Sequence, residues 1–198
     1  METNKKISKW DIARGGVLSG VLVGVGDIVM MEVENPYLAA FLFCIALVCV
    51  IELRFYLVTG MLGKVIKIYN LWDILLALVM NAVGCTFALL TYCCMDINNM
   101  QTIRDVADAK FANTNFAVMY YAGCMCGILI HIACVARKDL ITVLAIMVFI
   151  LCGFRHSVAD VGYLIFSLNP SYILPWFGVL CGNAVGAICT EGFMGVDS

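Results

Sequence analysis

Six apolar stretches of this 198-residue chain are each long enough to cross a hydrocarbon layer about 30 Å thick, which takes around 20 helical residues. They run near Ile12 to Met31, Pro36 to Leu62, Leu71 to Cys94, Phe116 to Ala136, Leu140 to Tyr163 and Ile173 to Met194. Inside lipid every backbone N–H and C=O must be satisfied within the protein, so only helices or a closed barrel can span it, and stretches of this length select helices. Charged residues make up 13% of the chain and hydrophobic ones 63%, with a mean hydropathy of +0.98. That is about half the charge of a soluble domain, so most of the surface must face lipid or other apolar helices. The chain reads as an all-α integral membrane protein.

The tetrapeptide Asn81-Ala82-Val83-Gly84 in span three returns as Asn183-Ala184-Val185-Gly186 in span six. Such a return divides residues 1–198, read as a single transmembrane channel domain, into half repeats at about 12–94 and 116–194. With three spans in each half, the second half starts from the opposite side of the membrane. A 3+3 repeat of inverted topology places any solute path between the halves near the midplane. Between them lies a polar link, Met95 to Asn115, carrying Asp96, Asp105, Asp108 and Lys110.

Basic residues accumulate on the cytoplasmic side and fix the orientation. Lys5, Lys6, Lys9 and Arg14 precede span one, Lys64 and Lys67 follow span two, and Arg137 with Lys138 follow span four. The opposite side has Arg104 and Lys110 beside the acidic Glu32 and Glu34. Both termini are therefore expected in the cytoplasm, in a multi-pass protein of the cell inner (plasma) membrane. No small-residue cleavage pattern follows the first apolar run, so the N-terminus is expected to be retained.

Spans two and five are interrupted at matching places, by Val58-Thr59-Gly60-Met61 and by Gly153-Phe154-Arg155-His156-Ser157-Val158-Ala159-Asp160. Polar groups and glycine at membrane depth mark broken helices, whose freed backbone groups are tolerable only when buried in protein or lining a cavity. The N-terminal end of each second half-helix would turn a positive partial charge toward the centre and favour an anion.

These segments carry a family resemblance. Gly-Phe-Arg-His-Ser-Val-Ala-Asp at 153–160 resembles the GFEHSxAN segment of the formate/nitrite transporters, and Leu57-Val58-Thr59-Gly60 is similar to the LFTG part of their second-span signature. The two Asn-Ala-Val-Gly segments resemble the family's GNxxG pair. Gly123-Cys124-Met125-Cys126, with Ala133 after it, is similar to the fourth-span GxxC pattern. The matches run in the family's order from Asn35-Pro36 to Gly186.

The resemblance implies an aquaporin-like six-helix protomer with broken helices two and five, a homopentamer with one pore per subunit, and passage of small monovalent anions such as formate, nitrite or hydrosulfide. It implies His156 at the pore centre beside Thr59, with Lys110 and Asn183 adding positive potential and polar contacts. It implies apolar constrictions at Phe43, Leu47 and Phe149 on the outer side and at Leu57, Val58 and Ile130 on the inner side. The pattern is broken at Tyr56 and Arg155, where the family has glutamate, at Met61, Asp160 and Gly127, where it has asparagine, and at His131, where it has cysteine. An imidazole titrates near neutral pH, so His156 can hold or relay a proton for an anion that crosses an apolar ring more easily as its acid.

Plainer readings stand beside these. His131 is expected to pack between helices, Asp27 and Glu191 to sit at interfaces or span ends, Arg54 to meet an acid on another span or subunit, and Asp160 to offset Arg155. A pore for a neutral solute such as urea or ammonia fits the same architecture but has no need of a central protonatable group with a cationic approach. His131 with His156 is the only enzyme-like pair, at a spacing that matches no recognised site, so the chain is not expected to be an enzyme. Most of the eleven cysteines lie inside apolar runs as small hydrophobes, without metal-ligand spacing, so no metal and no cofactor is expected. No basic run interleaved with aromatics suggests nucleic acid; the expected partners are the bilayer, a small anion and further copies of the chain.

Overall fold

The structure is a computed structural model that describes residues 7–65, 68–112, 115–136 and 138–194. Lys5, Lys6, Lys67 and Arg137, used above for orientation, lie outside the described residues. Among those described the secondary structure is helical: α1 (Lys9–Glu32), α2 (Pro36–Glu52), α3 (Val58–Leu62), α4 (Leu71–Met95), α5 (Asn99–Phe111), α6 (Phe116–Ala136), α7 (Asp139–Leu151), α8 (Ser157–Ser167) and α9 (Ile173–Met194), with a 3-10 turn at Pro170–Tyr172. Four helices are long and apolar enough to cross a membrane: α1, α4, α6, and α9 with its preceding turn. The stretches read as spans two and five are each divided, into α2 with α3 and α7 with α8.

Local sequence explains the starts. Asn35 accepts hydrogen bonds from Tyr37 N and Leu38 N, with Pro36 opening α2. Asn70 and Asp73 form a reciprocal capping box at the start of α4. Lys9, on α1, pairs with Asp73, so the N-termini of α1 and α4 share one end of the protein. At the other end Tyr92 of α4 donates to Glu32 at the close of α1.

Helix α1 packs along α4, and α6 along α9, through glycine faces. At Gly20 a Cβ would collide with the Asn81 backbone, and at Gly84 with that of Val17; Gly127 meets the Asn183 backbone and Gly186 that of Cys124 in the same way. Without an aqueous driving force between helices, such close backbone approach supplies the packing. Gly127, where the resemblance has asparagine, has no room for any side chain.

The first break falls a few residues before the expected one, and the second overlaps the first half of the expected segment. Leu53–Leu57 is non-helical and Val58-Thr59-Gly60-Met61 is the helix that follows; Cys152–His156 is non-helical and Ser157 to Asp160 is the first turn of α8. The stopping signal is a Schellman cap in both halves. Phe55 N bonds to Val50 O and Arg54 N to Ile51 O, as Phe154 N does to Phe149 O and Gly153 N to Ile150 O. The left-handed residue of each cap is Arg54, φ 55°, and Gly153, φ 70°. Threonine-glycine and histidine-serine looked like the interruption because they are the polar residues, but the chain reverses hand just before them.

The link between the two halves is not plain loop. Its helix α5 buries Ile103, Ala107 and Phe111 on one face, against α4, α8 and α9 residues including Leu89, Tyr163 and Val179. The outward faces of the long helices stay apolar, with Phe41, Phe87 and Tyr121 more than half exposed. An apolar exterior of this kind suits lipid or neighbouring subunits, and the protein is a multi-pass membrane protein.

Candidate functional site at the helix breaks

Each break is held by one asparagine. Asn81 Oδ1 accepts from Val58 N at 2.8 Å, while its Nδ2 donates to Tyr56 O and Gly16 O at 2.9 and 2.8 Å. Asn183 Oδ1 accepts from Ser157 N at 2.9 Å, while its Nδ2 donates to Arg155 O and Gly123 O, both at 2.9 Å. Both asparagines are completely buried. An amide is suited to this because it offers an acceptor and two donors at once, and a break exposes both kinds of backbone group. Asn183, which the resemblance gives as a source of polar contacts near His156, spends its amide on the backbone at Ser157, Arg155 and Gly123, and Asn81 does the same work in the first half. Ser19 Oγ adds a second donor to Tyr56 O at 2.8 Å.

With the breaks fixed, the two following helices bring Thr59 and His156 together. Thr59 Oγ1 is 3.0 Å from His156 Nε2, and both side chains are buried. His156 also caps α8, its Nδ1 accepting from Ala159 N at 3.2 Å. A nitrogen that accepts carries no proton, so the ring is neutral with its hydrogen on Nε2, donated to Thr59. Phe149 stacks on the imidazole at 6.0 Å and meets Phe43 edge-on at 6.2 Å.

Two cavities approach this pair from opposite ends. One, about 400 Å³, is lined by Asp27, Phe43, Lys110, Phe149, Arg155, His156, Asp160 and Tyr163. It opens at the C-terminal end of α1. The other, about 480 Å³, is lined by Glu52, Arg54, Tyr56, Leu57, Gly60, Met61, Lys64 and Tyr69, at the end where Lys9 meets Asp73. Leu47, Val58 and Ile130 are buried in the apolar cluster that also holds Phe43, Leu57 and Phe149. Tyr69, in the link after α3, has its phenol pushed up by burial, with Tyr56 and Asp73 adding to the shift.

Charge in the first cavity is organised by Asp160. Its Oδ2 accepts from Arg155 Nε at 2.8 Å, and its Oδ1 pairs with Lys110 Nζ at 3.3 Å. Lys110 also lies 5.0 Å from the Tyr163 ring centroid. It reaches the site because α5 is a helix packed on α8, and the signal for that was present in the i, i+4, i+8 spacing of Ile103, Ala107 and Phe111. Asp27 is buried beside Cys85, whose thiol lies 3.7 Å from Oδ2, and lines this cavity. Glu191 is likewise internal, with its Oε2 2.9 Å from Nε2 of the fully buried His131. Arg54 is exposed, and no salt bridge involves it among the described residues.

A helical membrane protein with two helices broken around a buried polar pair and a cavity at either end is the fold that these features describe. Among solved structures it is similar to a pentameric formate channel with formate bound, at a TM-score of 0.78 and 14% identity, covering 96% of this chain and 97% of that one. It is also similar to an FNT family ion channel, at a TM-score of 0.75 and 21% identity over 92% of this chain and 88% of that one. At these identities the likeness establishes a common fold. No protein-family model matches the sequence, and neither does any curated protein.

Proposed function

We propose that this chain is a formate/nitrite transporter, an anion pore of 3+3 inverted repeat that carries small monovalent anions or their acids. The observation that carries the reading is the Thr59–His156 hydrogen bond, formed where two broken helices start, with a cavity on each side. The matched asparagine staples and Schellman caps favour two half repeats, 12–94 and 116–194, in one channel domain. The likeness to a pentameric formate channel supports a homopentamer. Lys64 at one end and the acidic Glu32 at the other support cytoplasmic termini in the inner membrane.

An anion enters the Lys110 cavity, drawn by Lys110 and Arg155, and meets the ring of Phe43, Leu47 and Phe149. Crossing it as an anion is costly, and desolvation favours the acid form. His156 meets the solute with Nε2–H when that hydrogen turns from Thr59 to the solute. It takes a second proton only if Nδ1 releases Ala159 N–H, so protonation and the uncapping of α8 are one event. The solute leaves past Leu57, Val58 and Ile130 toward Lys64.

Uptake of formate, nitrite, hydrosulfide and urea into proteoliposomes across a range of pH tests this. Anion uptake rising as pH falls is the expected result. Uptake of urea with none of the anions would establish the neutral-solute pore instead. Native mass measurement in detergent or lipid should return five copies.

A further inference from the structure

Arg155 has one part of its side chain that the contacts above leave unused. Nε is taken by Asp160 at 2.8 Å, and the guanidinium carbon lies 5.2 Å from the Phe111 ring centroid, which fixes the plane. Nη2 is buried with no hydrogen-bond partner, on a side chain that lines the Lys110 cavity and is only 11% exposed. Neither nearby carboxylate serves it. Asp160 gives one oxygen to Nε and the other to Lys110, while the Asp27 carboxyl lies against the Cys85 thiol and Tyr163.

A desolvated guanidinium N–H without an acceptor is costly, and what relieves that cost is an oxygen brought in from outside. Two cations, Arg155 and Lys110, line this cavity with two carboxylates, Asp160, which pairs with both, and Asp27. Net charge therefore does not select the solute; the unmatched guanidinium N–H does, because a charged donor bonds most strongly to an acceptor that carries negative charge.

The geometry points to an oxyanion-recognition site built on Arg155 in the Lys110 cavity, ahead of His156, which prefers planar anions with two oxygens over anions with a single acceptor atom. Resting on the anion-pore reading, it narrows the substrate class to carboxylate or nitrite, against hydrosulfide or chloride. A guanidinium presents parallel N–H groups that match two oxygens side by side, whereas an ammonium such as Lys110 is a point charge that attracts both classes alike. Discrimination therefore falls to Arg155, and capture to both.

Arg155→Lys keeps the charge and removes the fork. In proteoliposomes, the ratio of kcat/KM for formate to that for hydrosulfide should fall about tenfold, the loss of one good charged hydrogen bond. A ratio unchanged from the wild type, with both anions carried, overturns the site and leaves the anion pore standing. A wild-type protein that carries neither anion brings down both. Because Arg155 also holds Asp160, the variant could fail to assemble, so the wild type supplies a second measurement. Its thermal unfolding in detergent is followed with sodium formate against sodium chloride at equal ionic strength. Formate alone should raise Tm with concentration; equal responses to the two salts overturn the proposal.

Discussion

Thr59 and His156 stand at the starts of two different helices, Thr59 as the second residue of α3 and His156 as the N-cap of α8, and their side chains meet at 3.0 Å. The contact gives each helix start a polar group that water cannot reach, and it orients the imidazole hydrogen.

Thr59→Val keeps the β-branched shape and removes the oxygen. The buried Nε2–H then lacks an acceptor, at a cost of about 1 to 2 kcal/mol. Anion flux should drop about tenfold while the unfolding temperature falls by a few degrees. Flux equal to the wild type, measured beside a melting curve, would reduce Thr59 to a helix-start residue.

His156→Asn separates capping from titration. Asparagine is a good N-cap, so α8 should still start at Ser157, but no proton can be gained between pH 5 and 8. The expected outcome is an assembled protein whose anion uptake responds less to pH than the wild type. His156→Phe loses the cap and the Thr59 partner together and should be both slower and less stable. A wild-type pH profile in the asparagine variant would assign the titration to the substrate acid.

Asn81→Asp and Asn183→Asp test the staples. A carboxylate can still accept from Val58 N or Ser157 N, but it cannot donate to the two carbonyls that each amide serves. Each variant leaves a buried carbonyl oxygen unmatched and adds a charge, so a loss of about 3 kcal/mol or more is expected, larger at Asn183 because Ser19 still donates to Tyr56 O in the first half. Melting temperatures close to the wild type in either variant would show that another group closes that break.

The left-handed caps give opposite signs in the two halves. At Gly153 a Cβ would meet nothing within 4 Å, so Gly153→Ala isolates the backbone cost at φ 70° and should destabilise by about 1 to 2 kcal/mol. Arg54 already bears that cost, and Arg54→Gly should stabilise by about 1 kcal/mol. Thermal unfolding of both in one detergent is the check; a matching sign would mean that side-chain contacts decide.

Pattern and composition determined what is local or summed along the chain. Apolar runs of span length require helices in lipid, and the polar residues of spans two and five announce that those helices break. The repeated asparagine was visible as a repeat. Its work was not, because an amide in sequence shows donors and acceptors without their partners. That the first break ends before Thr59 and the second ends on His156 depends on a handedness reversal at Arg54 and Gly153, and arginine gives no sign of a left-handed residue.

The arrangement around Asp160 was decided only in three dimensions. Lys110 arrives on α5, Arg155 from the break and Asp160 on α8, three segments joined by packing rather than by spacing. Asp27 and Glu191 were ambiguous for the same reason: a carboxylate near the end of a span can face solvent, a neighbouring subunit or a cavity, and the choice belongs to the helices that close around it. The sequence by itself determined a helical membrane protein with two broken spans; tertiary packing decided which side chains the breaks bring together, since contact between distant segments follows from backbone approach at Gly20, Gly84, Gly127 and Gly186 and leaves no local trace.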